Sequence, residues 1–294
     1  MPAALEHWLP IMFEDTDQIL DIAREAEAAG FTGVALADHV AIPVDFASVH
    51  PSGDNPFVPT SHFVDPMVTA GAILGVTTRL RVMTYVYIVT MRDPWSVAKA
   101  AGTLSALSGG RFSLGVGAGW LLEEIALLGH DPATRGQRME RDLDTIRELL
   151  HTGGAMTADS REVAMAPVPS SPPPILVGGK AKAALRRAAR HDGWLGMNYP
   201  LDEVWQLLDE LAEQRAQAGS APHPSSRQPM TMVIPNALPT PELHAELAAR
   251  GVTATISMPW APGDPALASL EAKREAMQGW AKTFGLLSGP ARAG

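Results

Sequence analysis

Gly109-Gly110-Arg111-Phe112-Ser113-Leu114-Gly115-Val116-Gly117-Ala118-Gly119-Trp120 is the stretch that decides the fold. Two glycines make a turn, residues 111–117 read as a buried strand, and Gly115, Gly117 and Gly119 alternate at its exit. Alternating glycines strip one face of a strand of side chains, as happens where a flat ligand or another piece of backbone must come close. Cofactor contact at Gly117, Ala118 and Gly119 is one reading, and close packing inside the protein is the other.

Outward from this stretch, short apolar runs alternate with amphipathic ones. Strands are expected at 7–11, 33–38, 80–89, 111–117, 174–178, 193–197, 230–235 and 253–258. Helices are expected at 16–29, 66–74, 94–107, 137–150, 181–190, 202–218, 241–249 and 270–284. Asp15-Thr16, Asp65-Pro66, Asp93-Pro94 and Thr240-Pro241 supply caps or first-turn prolines. Eight β-then-α units in about 250 residues predict an α/β protein of one domain, 1–294, folded as a (β/α)8 TIM barrel whose site lies at the carboxyl ends of the strands.

Two interruptions stand out. Residues 40–64 form a 25-residue loop after the second strand, with apolar Phe46, Phe57 and Phe63, and a loop of that size on a barrel reads as a lid or substrate wall. Residues 151–174 read as a hairpin insertion before the fifth strand. The last residues, 288–294, read as a frayed tail.

Composition narrows the function. The chain has 294 residues, 46% hydrophobic, no cysteine and a net charge of −9. No apolar run approaches the roughly 18 residues of a membrane span, and the start lacks a signal-peptide pattern. Without cysteine there is no disulfide framework and no thiolate nucleophile, which fits a cytoplasmic enzyme. Lysines and arginines are not clustered, which argues against nucleic acid and for a small-molecule substrate. There is no His-Glu-x-x-His or His-x-His spacing and no Gly-x-Ser-x-Gly elbow, so neither a metal site nor a serine nucleophile is expected.

Gly178-Gly179-Lys180 stands where a strand meets a helix. Free backbone N–H groups and a lysine there suit an anionic group such as a phosphate, while a tight turn explains the glycines equally well. Asp38 and His39 end the second strand at the catalytic rim. An imidazole there suits hydrogen bonding or proton transfer near neutral pH. Asp38 suits orienting His39, binding a cofactor or capping the loop. Glu123 and Glu124, adjacent on a helix, point in different directions and do not read as a carboxylate pair. Arg135 and Glu140 read as a cap or salt bridge, and Arg186-Arg187 as a solvated helix face.

Residues 110–120 followed by Glu124 and Gly129, together with Asp38-His39, Arg135-Gly136, Glu140, Pro173–Gly179 and His191–Trp194, resemble the luciferase-like monooxygenase superfamily, in order, from about residue 15 to about residue 200. The resemblance implies a (β/α)8 barrel that binds FMN or the deazaflavin coenzyme F420. It places His39 near the deazaflavin ring. At Thr84, Tyr85 and Val86 it implies a non-prolyl cis peptide bulging toward that ring, with Tyr85 where relatives often carry glycine. The deazaflavin-dependent sugar dehydrogenases of the family carry a glutamate where this chain has Trp120, which turns the expectation away from sugars.

The compact length and the closeness to deazaflavin-type members favour F420-dependent hydride transfer, with catalytic His39 and Asp38. The substrate is expected beneath the 40–64 lid against Phe46, Phe57, Trp120 and Met197. Alternatives are an FMN-dependent monooxygenase supplied by a separate reductase, and a barrel that binds cofactor without turnover. Family precedent points to a homodimer.

Overall fold

The computed structural model describes residues 5–286 apart from 54, 56, 158, 219–227 and 262. The expected tail at 288–294 lies outside the described residues. In chain order the strands are β1 (Glu6–Ile11), β2 (Gly33–Leu36), β3 (Arg81–Thr84), β4 (Tyr87–Ile88), β5 (Phe112–Gly117), β6 (Gly154–Met156), β7 (Glu162–Ala164), β8 (Ile175–Gly178), β9 (Gly193–Tyr199), β10 (Met230–Pro235) and β11 (Ala254–Ile256). The helices are α1 (Ile19–Ala28), α2 (Pro66–Val76), α3 (Pro94–Ser108), α4 (Leu122–Leu127), α5 (Arg135–Thr152), α6 (Lys182–Ala188), α7 (Leu201–Ala218), α8 (Pro241–Ala249) and α9 (Leu270–Phe284).

Parallel pairing runs β1-β2-β3-β5-β8-β9-β10-β11, and β11 returns to β1. That closes a (β/α)8 barrel. Trp8, Ala35, Met83, Leu176, Leu195, Met232, Ala254 and Ile256 fill its interior, with Tyr85, Val86 and Ile234 packed against them. A larger apolar layer seats the helices outside the strands. An interior packed with side chains leaves the loops at the strand ends to form a site.

Local chemistry explains most boundaries. Asp65 accepts hydrogen bonds from the Met67 and Val68 amides, and Asp93 from those of Trp95 and Ser96. Thr240 accepts from the Leu243 amide, and each cap precedes a proline at the first helical position, where a missing N–H costs nothing. At α1 the expected Asp15-Thr16 start is wrong. The helix begins at Ile19, after a turn in which the Gln18 amide bonds to the Asp15 carbonyl, and no side chain caps it.

The expected strand at 80–89 is two pieces. Its pairing breaks between β3 and β4, at a cis peptide bond joining Tyr85 to Val86. Residues 151–174 do hold a hairpin, β6 against β7. Glu123 and Glu124 do lie on a helix, α4, which is too brief to show a periodic pattern. Arg187 is not a solvated residue: its side chain is 11% exposed and bonds to the Gly136 carbonyl, near Glu140. Glu140 also pairs with Arg190, so the family-matched Arg135–Glu140 segment is pinned to α6 as a structural joint.

Candidate functional site

The glycine-rich exit of β5 is explained first by the third strand. A Cβ on Gly117 would stand 2.5 Å from a Val86 methyl, and one on Gly178 would stand 2.9 Å from the other Val86 methyl. Both glycines therefore make room for the Val86 side chain. Packing within the protein accounts for the glycine alternation at 115–119. On either side of Gly117 in the chain, the Gly115 carbonyl accepts from the Thr84 hydroxyl at 2.7 Å and the Ala118 carbonyl from the Thr90 hydroxyl at 2.8 Å.

Tyr85 crosses to the far side of the barrel, where its hydroxyl donates to the Gly196 carbonyl. Burial raises its phenol well above the ordinary value, so it stays a donor. Tyr85, Val86 and Ile234 thus form an apolar layer over the barrel interior.

His39 and its surroundings occupy the β2 side. The His39 Nδ1 lies 2.6 Å from Glu124 Oε2, and the two side chains are 9% and 2% exposed. The other Glu124 oxygen, Oε1, accepts from the amides of Val40 at 2.6 Å and Ala41 at 3.0 Å. Burial raises the Glu124 pKa, but the His39 hydrogen bond and charge and the two amides outweigh it and hold the carboxyl below its ordinary value. The group is a carboxylate. Aromatic rings wall His39 in: Phe63 at 4.7 Å between ring centres, Phe57 at 5.0 Å and Trp120 at 5.9 Å. Phe46 and His50 extend the cluster against Trp120, and Phe13 joins it through Phe57 and Phe63.

Helix α4 anchors this lid twice. Beyond the Glu124 contacts, Glu123 accepts from the amides of Ala47 and Ser48 and from the Ser48 hydroxyl at 2.6 Å. The two glutamates do point in different directions, and each holds a different part of the 40–64 loop. That loop contains no lysine or arginine.

Asp38 faces away from His39 in its bonding. Arg92 holds both its oxygens, at 2.6 and 2.8 Å, and the Ile88 amide donates to it at 2.8 Å. Burial raises the Asp38 pKa while Arg92 and the Ile88 amide pull against it. Its place is to pin β4, just past the break in the third strand.

Across the same rim, after β8, Gly179 has a φ of +116°, a conformation that favours glycine. Its carbonyl accepts the Trp194 indole N–H at 2.8 Å. Lys180 lies 2.8 Å from Glu203 and 5.1 Å from the Tyr199 ring centre, with 43% of its side chain exposed. Of the expected pocket residues, Phe46, Phe57 and Trp120 come together. Met197 is set apart, half-buried against the strand–helix layer.

Glu124, Phe13 and Phe63 complete the cluster beyond the expected site residues. Glu124 lies 85 positions from His39, and only its place in the family-like stretch singled it out. Phe13 takes a left-handed φ of 60°, unusual for a bulky residue, and turns its ring against Phe63. Among the described residues no group of three or more metal-ligating side chains occurs. No helix among them is long and apolar enough to cross a membrane.

The residues fit a flavin-like group in two respects. The Tyr85–Val86–Ile234 layer offers apolar surface over the barrel interior for its ring, and the His39 imidazole follows β2 at the same end of the barrel. The turn at Gly178–Lys180 offers a cation for a phosphate, to be shared with Glu203.

The sequence model described as luciferase-like monooxygenase matches residues 6–282. An uncharacterized protein of Mycobacterium tuberculosis is 38% identical over 208 residues, covering 68% of this chain and 72% of that one. The F420-dependent hydroxymycolic acid dehydrogenase of the same organism is 28% identical over 217 residues, 70% of this chain and 56% of its own. Among solved structures, the oxygenating constituent of 3,6-diketocamphane monooxygenase of Pseudomonas putida, in complex with FMN, superposes with a TM-score of 0.63 at 16% identity, over 97% of this chain and 81% of that one.

Proposed function

The chain belongs to the luciferase-like monooxygenase family, whose members include F420-dependent and FMN-dependent enzymes, and on that premise we propose that it transfers a hydride between coenzyme F420 and a small organic alcohol or carbonyl compound. The carrying observation is His39, fixed by Glu124 at the β2 rim inside an aromatic wall. Loss of a hydride from an alcohol carbon must be matched by loss of the hydroxyl proton, and an imidazole at this rim supplies the acceptor. In the reverse direction the protonated ring returns the proton to the oxygen.

The cofactor would supply or take the hydride. Tyr85, Val86 and Ala118 would face its ring, Gly117 and Gly119 being taken up by Val86 and Ile88 and Thr84 by its bond to Gly115, and Gly178, Gly179 and Lys180 would hold its phosphate. Phe46 and Phe57 of the 40–64 loop, which has no lysine or arginine, and Trp120 favour an uncharged apolar substrate over a phosphorylated one. Asp38 acts here through Arg92 and β4 rather than on the substrate.

An FMN-dependent monooxygenase fed by a separate reductase is the second reading, favoured by the fold shared with the FMN complex. A homodimer is also proposed. The groove between α2 and α3 is lined by apolar Met67, Val68, Trp95, Ala100 and Leu104 together with Ser96, Lys99 and Thr103, and those helices carry a single charge, Lys99, between them.

The test is a titration with oxidised F420 and, separately, FMN, followed by tryptophan fluorescence. Tight binding of F420 and weak binding of FMN is expected. The opposite preference moves the reading to oxygen chemistry, and binding of neither removes the cofactor from the proposal.

A further inference from the structure

We propose that Glu124 is a positioning residue that fixes the tautomer of His39, so that Nδ1 carries the proton and Nε2 is the nitrogen left to exchange one. The inference rests on the reading of His39 as the proton-handling group, and it concerns this chain's own residues alone.

A carboxylate only accepts. Oε1 is committed to two backbone amides, Val40 and Ala41, neither of which has a proton to spare for any other arrangement. Oε2 faces His39 Nδ1 at 2.6 Å, a distance that requires a proton between them. With Glu124 ionised, that proton belongs to Nδ1. Neutral His39 is therefore the Nδ1–H form, and its lone pair is on Nε2. Among the described residues no hydrogen bond reaches Nε2; the rings of Phe57, Phe63 and Trp120 contact the imidazole, and His50 lies close enough for the two charges to repel. Sequestering one nitrogen and leaving the other among rings gives a single site for proton exchange, which is the arrangement that orients an imidazole in other carboxylate–histidine pairs.

The same pairing of donors and acceptors predicts what a near-isosteric change does. In Glu124→Gln the side-chain oxygen must stay with the two amides, because only it can accept from them. The amide NH2 then faces Nδ1, which becomes an acceptor, and the ring switches to Nε2–H. The lid anchors at Val40 and Ala41 survive, so the effect on the tautomer is separable from loss of the lid.

The experiment is two-bond 1H–15N correlation spectroscopy of the 15N-histidine-labelled protein above pH 7.5, with neither cofactor nor substrate present and with His39→Gln used to assign the signals. The wild type is expected to show a pyrrole-type Nδ1 and a pyridine-type Nε2 for His39, and Glu124→Gln the reverse pattern. A wild-type Nε2–H tautomer, or a variant that keeps Nδ1–H with its fold intact, overturns the proposal. Because the spectra need no ligand, failure of F420 binding leaves this result standing. A correct tautomer with an inactive, non-binding protein would instead count against the proposed function.

Discussion

Two histidine sites, His39 at the β2 rim and His7 on β1, are built on opposite principles. His39 has a carboxylate on Nδ1 and aromatic rings around it. His7, 4% exposed on β1, has its Nδ1 2.8 Å from the Ser257 hydroxyl and receives the Trp280 indole N–H at 3.2 Å. An indole nitrogen only donates, so His7 Nδ1 accepts and its proton sits on Nε2. The His7 ring is 5.2 Å from that of His244, whose Nδ1 is buried without a hydrogen-bond partner, and His244 stacks on Phe284 at 4.4 Å. Among the described residues no carboxylate bonds to either. Burial, and then the neighbouring His244, push the His7 pKa down to about 4. The difference teaches that burial alone makes a histidine an inert polar filler, whereas an ionised acid on one nitrogen makes the other available for chemistry.

The largest expected effect tests the active member of that contrast. Replacing His39 by alanine is expected to lower turnover by roughly 100- to 10,000-fold, the usual contribution of a positioned acid or base, with F420 binding retained. Changing His7 should leave the turnover of folded protein unaltered. Comparable turnover losses at the two positions would erase the distinction.

Next in size is Asp38. Removing it by Asp38→Ala leaves Arg92, 16% exposed, without its bidentate partner, and breaking a pair of this kind costs about 3–5 kcal/mol. The double change Asp38→Ala with Arg92→Met is expected to recover part of that loss in urea unfolding. If Asp38→Ala instead keeps its stability and loses only turnover, Asp38 belongs with His39 rather than with the scaffold.

The inert site should announce itself in acid. Folded His7 takes its proton near pH 4 and the unfolded chain near 6.5, so between these values the unfolded state binds more protons. Stability is therefore complete above about pH 6.5 and falls as pH drops toward 4, by about 3 kcal/mol in all from this group. Urea unfolding at pH 7.5 and pH 4.5 measures the loss. His7→Asn is expected to flatten the slope, while a slope that vanishes only when His39 is changed would reverse the roles of the two sites.

How far each site was legible follows from sequence separation. The barrel was readable because apolar period, cap residues and turn glycines are local, and the strand ends placed His39 and Gly178–Lys180 on one rim. His39 was legible as a candidate because it ends a strand. Its partner was not, because Glu124 is brought to it by a helix of six residues, too short to carry a periodic signal. Arg92 and Asp38, 54 positions apart, are joined by the same tertiary logic. The glycines were the most visible feature and the most ambiguous: the sequence records that something comes within contact of Gly117 and Gly178, and only the fold shows that Val86 is already there.

The smallest effect sharpens the lid side of the comparison. Glu123 holds Ala47 and Ser48 from a nearly solvated position, and the Ser48 hydroxyl, ahead of the two amides, draws its pKa down to about 2. A group depressed in this way stabilises its contacts above the ordinary carboxylate pKa and releases them only as pH falls toward 2. The outer lid anchor thus stays ionised through the acid range in which His7 destabilises the barrel, so the lid should remain attached until the fold itself gives way. Glu123→Gln can keep one acceptor and is expected to cost less than about 1 kcal/mol, as exposed charged contacts do. Hydrogen exchange at the Ala47 and Ser48 amides should quicken while that at Val40 and Ala41, held by Glu124, does not. Equal acceleration at all four would mean that the two glutamates hold the lid as one unit, and that His39 cannot be positioned independently of it.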